Sequence, residues 1–144
     1  MKTTTAVLAA LLLTSAGCRV AHACGEADGK MKVYSLTDDG GTYQLILDAA
    51  AIARTPSWAP GSGEPPLSIT KAVSAVSSWA KQYYPNADEI RVRSVDLKIF
   101  QCTNTHWYYQ VELMPIANGR SMAGVATFAG VLMDATIVEP ALLK

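Results

Sequence analysis

A change of hydrophobic period in the middle of the chain constrains its fold more than any other feature. Between Ser68 and Pro85, the apolar residues Ile69, Ala72, Val73, Val76, Trp79, Ala80 and Tyr83 recur at three- and four-residue spacing. That spacing gathers side chains on one face of a helix. Lys71, Ser74, Ser78, Lys81 and Gln82 fill the opposite side. Ser68 offers an N-cap oxygen and Pro85 a stop. Beyond it the period falls to two. Val95, Leu97 and Ile99 alternate with Asp96 and Lys98, and after Thr103-Asn104-Thr105, Trp107, Tyr109, Val111 and Leu113 alternate with His106, Tyr108, Gln110 and Glu112. Two hairpin strands, each with one apolar face, account for that pattern. An apolar helical stripe and an apolar sheet face each need a cover, so the stripe around Val76 is predicted to pack on the face bearing Val111.

The flanking segments extend the same plan. Lys32–Leu36 and Tyr43–Leu47 read as two short strands joined across Asp38-Asp39-Gly40-Gly41. Ala49–Ala53 suits a helical turn or a strand continuation. From Thr55 to Pro66, four prolines and two glycines deny helix and sheet their backbone requirements, which predicts a loop with Trp58 as a lid over the core. Pro115 closes the second hairpin strand and Asn118-Gly119 marks a turn. Val125–Met133 is apolar on both faces, as a covered or central strand requires, and Asp134-Ala135-Thr136 turns into a last strand, Ile137-Val138, ended by Pro140. The expected fold class is α+β: one amphipathic helix packed on a curved antiparallel sheet that wraps it. The expected organisation is a signal segment at 1–23, N-terminal strands and a Pro/Gly-rich loop at 24–66, and helix plus sheet at 67–144. The last two form a single domain, as 144 residues with 50% hydrophobic composition allow.

The signal segment rests on Lys2, an unbroken apolar run from Ala6 to Leu13, and the small residues Ser15, Ala16 and Gly17. This is the order that export machinery reads. The run is too short to span a bilayer, which takes about 20 apolar residues. Two processing sites compete. Ala21-His22-Ala23 fits ordinary cleavage before Cys24, while Ser15-Ala16-Gly17-Cys18 resembles a lipobox that would place a lipid on Cys18. Either route leaves Cys24 and Cys102 as the thiols of an oxidising compartment, and a disulfide between them is the natural expectation. In the loop-entropy model it restricts the unfolded chain by about 4–5 kcal/mol. Free cysteines are the alternative. The expected location is the periplasm or cell envelope of a bacterium.

Chemistry is sparse. Twelve basic residues balance twelve acidic ones without blocks of either sign, which disfavours nucleic acid and acidic membrane surfaces as partners. Loss of residues 1–23 leaves ten basic against twelve acidic side chains, a net charge of −2. Ser68-Ile69-Thr70-Lys71 matches the S-x-x-K pattern of serine beta-lactamases, without the partner motifs or the length of that fold; an N-cap serine beside a solvent-facing lysine explains the same letters. Cys24, Cys102 and His106 lack zinc-ligand spacing, and a disulfide competes for both thiols. The pairs Asp38-Asp39 and Asp88-Glu89 fall at turns, where carboxylates cap the chain. No nucleophile, base and oxyanion donor can be named together, so neither catalysis nor a cofactor or metal is expected. The most suggestive surface is aromatic. Alternation puts Tyr108 and Phe100 on the face opposite Leu97, Ile99 and Tyr109, where exposed rings would mark a partner-binding patch. Alternatively, the early strands or the proline-rich loop cover that second face.

Pro65-Pro66-Leu67-Ser68 leading into the Ala-rich helix, Val95-Asp96-Leu97, Trp107-Tyr108-Tyr109-Gln110-Val111 and Val131-Leu132-Met133-Asp134 together resemble the PepSY-like and cystatin-like domains of small exported bacterial proteins. The resemblance spans about Leu67 to Pro140. Ala135 departs from it, since such domains usually place Gly after the Met-Asp pair. It implies a helix against an antiparallel sheet and no catalytic residues; an inhibitory or propeptide-like role follows by analogy. The expected function is a non-enzymatic envelope module binding another protein or peptide, touching a membrane only through a lipid on Cys18. The alternative is a small-ligand binder with a pocket between helix and sheet.

Overall fold

The computed structural model describes residues 28–143. In chain order the elements are β1 (Lys30–Asp38), β2 (Gly41–Asp48), α1 (Ala49–Ala53), α2 (Ile69–Tyr83), β3 (Glu89–Ile99), β4 (Trp107–Ala117), β5 (Arg120–Ser121), β6 (Phe128–Leu132), β7 (Ile137–Val138) and β8 (Ala141–Leu142). They form an α+β fold with two antiparallel sheets. The larger has the order β3-β4-β6-β7, with β5 paired to β4; the smaller has the order β1-β2-β8.

Ser68, extended in backbone, caps the start of helix α2: its Oγ accepts from the Lys71 amide at 3.3 Å. Ala72, Val76 and Ala80 are wholly buried against Tyr109, Val111, Leu113, Ala129 and Val131 of the large sheet, the pairing that the two periods predict. Tyr109 pins the helix entry by donating its hydroxyl to the Leu67 carbonyl at 2.7 Å. Ile69, at the head of the predicted stripe, is instead 56% exposed.

The large sheet meets the helix with β3, β4, β6 and β7. It holds α2 on one face and the small sheet on the other, giving three layers. The second interface contains Tyr43, Leu45, Leu47 and Ile52 against Phe100, Tyr108, Phe128 and Leu132. Gly130 makes the close approach there: a Cβ on it would stand 3.2 Å from the Leu45 side chain. Strand β6 lies between the two layers and every residue in it is buried, as its two-faced apolar sequence requires. Asp48 caps α1 by accepting from the Ala50 and Ala51 amides, which makes Ala49–Ala53 a helical turn. The proline-rich segment is a loop, and Trp58 lies against the loop end of the β3–β4 hairpin. Its amide donates to the Thr105 carbonyl at 2.8 Å, its ring meets Trp107 edge-on at 5.3 Å, and the Trp107 indole donates to the Trp58 carbonyl.

Candidate functional site

Phe100 and Tyr108 are not an exposed patch. They are 1% and 3% exposed, because the small sheet packs on the face to which alternation assigns them. Phe100 also closes the hairpin loop, donating its amide to the His106 carbonyl at 2.8 Å. The layer between α2 and the large sheet, where the alternative reading puts a ligand pocket, is filled by the wholly buried Ala72, Val76, Ala80, Tyr109, Val111 and Val131.

The other chemical candidates perform local work. Ser68 caps its helix, with Lys71 exposed beside it. Asp38 accepts from the Gly40 amide and Asp88 from the Asn118 amide. Arg91 holds Glu89 with two hydrogen bonds, which keep the Glu89 carboxyl below its usual range. Among the described residues, no group of three or more His, Cys, Asp or Glu side chains is placed to hold a metal. His106 Nδ1 lies 3.2 Å from Thr105 Oγ1. Cys102 is disulfide-bonded, and its sulfur rests 3.5 Å from the Met31 sulfur. Cys18 and Cys24 lie outside the described residues, as does the whole signal segment.

What the two sheets leave uncovered is one flank. Both end there in open edge strands, β1 in the small sheet and β3 in the large. The small sheet is set back. Its Tyr34 packs edge-on against Phe128 at 4.8 Å, and the Tyr34 phenol is raised first by burial and then by the nearby Glu112 charge. Leu45 on β2 reaches Gly130 of β6. Met31 and Val33 of β1 line a cleft with Tyr108 of β4, while Tyr34 reaches Phe128 of β6 beside Glu112 of β4, so β1 lies over β4 and the adjoining edge of β6 and leaves β3 as a shelf.

Antiparallel register decides what faces up from that shelf. Lys98 is opposite Tyr108, Asp96 opposite Gln110 and Ser94 opposite Glu112, and residues directly opposite share a face. Lys98, Asp96 and Ser94 therefore stand on the side that the small sheet would cover if it were one strand wider. Their polarity fits this partial cover, whereas Val95 and Leu97 turn toward the helix side. At the Lys98 end the shelf deepens into a cleft of about 480 Å³ whose lining includes Met31, Val33, Lys98, Ile99, Gln101 and Tyr108.

Three features give the flank its chemistry. Neither Lys32 nor Lys98 is in an ion pair; the pairs among the described residues are Lys30 with Asp28 and Arg91 with Glu89. The Tyr108 hydroxyl has no hydrogen-bond partner among the described residues, and it is not sealed from water. Both edges also carry a bulge, at Val33 in β1 and at Arg93 in β3. Bulges and charges are the usual devices that keep an open edge from pairing indiscriminately. Sequence reasoning missed the flank because it depends on how far one sheet overlaps another. The one available signal was the Ser94, Asp96, Lys98 row, which is too polar for a strand covered on both faces.

Fold and flank together define a three-layer α+β domain with an uncovered shelf beside two open strand edges. No family model matches the chain, and neither the curated proteins nor the solved structures compared with it gave a match. No helix among the described residues is long and apolar enough to cross a membrane.

Proposed function

We propose that this is a non-enzymatic protein-binding module of a bacterial envelope, inhibitor-like or accessory in role, which receives an extended segment of another protein along its open flank. One observation carries the reading. The two sheets expose their unpaired edges on the same side, so backbone donors and acceptors of both β1 and β3 border a single groove. Main-chain pairing to such an edge supplies affinity, and alternate side-chain sites supply selectivity. The filled helix–sheet layer speaks for this reading over a small-ligand binder. The export signal read in residues 1–23 supplies the location, with attachment through Cys18 if the lipobox is used. Kinship with PepSY-like and cystatin-like domains belongs to the same proposal.

Site-specific photo-crosslinking in the producing cell tests it. A benzophenone side chain is placed in turn at Ser35 on β1, Arg93 on β3 and Ser74 on the outer face of α2, all outside the core. Discrete adducts from Ser35 and Arg93 but not from Ser74 are expected. Adducts from Ser74 alone, or from none of the three, would sink the reading.

A further inference from the structure

Resting on the open-flank reading, we infer that the occupant is one extended peptide strand added to β1, not to β3. It carries an acidic side chain toward Lys98 and the Tyr108 hydroxyl, and a basic side chain two to four residues away toward Asp96 and Glu112. Geometry selects the edge. A strand paired to β1 lies over β3 and covers the shelf, widening the small sheet to match the large one. A strand paired to β3 extends the large sheet outward and leaves Lys98, Asp96 and Ser94 as exposed as before. Strand β1 also runs along β4, with Met31 to Val33 beside Tyr108 and Tyr34 beside Glu112. A strand beside it therefore tracks along the shelf. Past the Val33 bulge, Tyr34 to Asp38 pair with β2 without further irregularity, a regular template for a new neighbour.

Charge then orders the occupant. The shelf is cationic at the cleft, where Lys98 has no ion-pair partner, and anionic further along at Asp96 and Glu112. Tyr108 adds a neutral donor there: it lines the cleft, and its hydroxyl, unpartnered among the described residues, stays open to water. A carboxylate offered between the Lys98 ammonium and this phenol meets two donors at once. Strand residues i and i+2 point to the same side, so an acid and a base on one face of the peptide meet Lys98 and Asp96 in turn.

A phage-displayed library of random nine-residue peptides, selected on the purified protein and on Lys98→Glu, tests this inference. On the wild type, the expected survivors alternate β-branched residues with an acid and a base on one face, and they slow hydrogen exchange at β1 amides. Lys98→Glu should weaken those peptides about tenfold and select a base where the acid stood. Tyr108→Phe, which keeps the ring and the fold, should weaken them by a smaller factor. Survivors with no acidic preference, or with protection on β3, would overturn this inference and leave the open-flank reading standing. Survivors that protect α2, or no survivors at all, would overturn both.

Discussion

Gly40 and Gly124 meet backbone to backbone: a Cβ built on Gly40 would stand 2.3 Å from the Gly124 carbonyl oxygen and 2.4 Å from its Cα. The contact locks the β1–β2 turn to the segment before β6. Tyr43 reinforces it by donating its hydroxyl to the same carbonyl at 3.0 Å. Gly40→Ala should cost about 1–3 kcal/mol, since backbone and not a flexible side-chain end must yield. Urea denaturation that left the midpoint of Gly40→Ala unchanged would show the two segments free to separate.

Gln110 is 1% exposed and its Oε1 has no partner. It stands between the sheets, where an unsatisfied acceptor loses its hydration without compensation. Gln110→Met, close in shape and without the acceptor, should raise stability by about 1 kcal/mol. The gain is read as a higher urea midpoint at constant slope.

Ala135 occupies the turn between β6 and β7 with φ +70°. An L-residue pays for that left-handed conformation and glycine does not. Ala135→Gly should therefore stabilise by about 0.5–1 kcal/mol, against the usual penalty for introducing glycine. A fall in thermal midpoint on this substitution would contradict the turn geometry.

Burial pushes the Tyr84 hydroxyl well above its ordinary value, with Tyr83 and Tyr43 adding to the effect, and the group donates to the Ala126 carbonyl. Tyr34, Tyr83, Tyr108 and Tyr109 are shifted the same way, first by burial. A raised folded-state value means that the unfolded chain releases protons first. The stabilisation is thus complete below about pH 10 and is lost as pH climbs from there toward the folded-state values. Tyr84→Phe should cost about 1–3 kcal/mol at neutral pH by orphaning the Ala126 carbonyl, and it should flatten the alkaline decline. Equal alkaline slopes in wild type and variant would remove Tyr84 from this account.

Intact mass of the protein recovered from its producing cell, with and without reductant, checks the ends of the argument. The expected species begins at Cys24 and gains two mass units on reduction, as a bond between Cys24 and Cys102 requires. A lipid-sized increment on a chain beginning at Cys18 would assign the lipobox instead.

Helix α2 and the β4 face that receives it were legible because both patterns are strong and adjacent: Val76 and Val111 each sit at the centre of an unbroken stripe. The first half of β3 was hidden. Arg91 and Arg93 are charged, and the bulge at Arg93 breaks the alternation that would have joined Ile90 and Val92 to Val95. Strand β8 was also hidden, since two residues carry no period and their partner, β2, is remote in sequence. Tyr108 was placed on the correct face, but its burial depends on the N-terminal hairpin docking there, which no local pattern encodes. The flank follows from that docking and from its offset, so it appears only when both sheets are in place.

The pairing of Tyr43 with Leu142 also bears on biogenesis. Two strands roughly a hundred residues apart must meet before the small sheet has both its edges, and such distant closure is slow compared with local pairing. Until β8 pairs, the small sheet is only the β1–β2 hairpin, and a lone two-stranded hairpin is marginal in water. Removing Ala141 and Leu142 should accordingly loosen a hairpin far from them in the chain, the one built by β1 and β2.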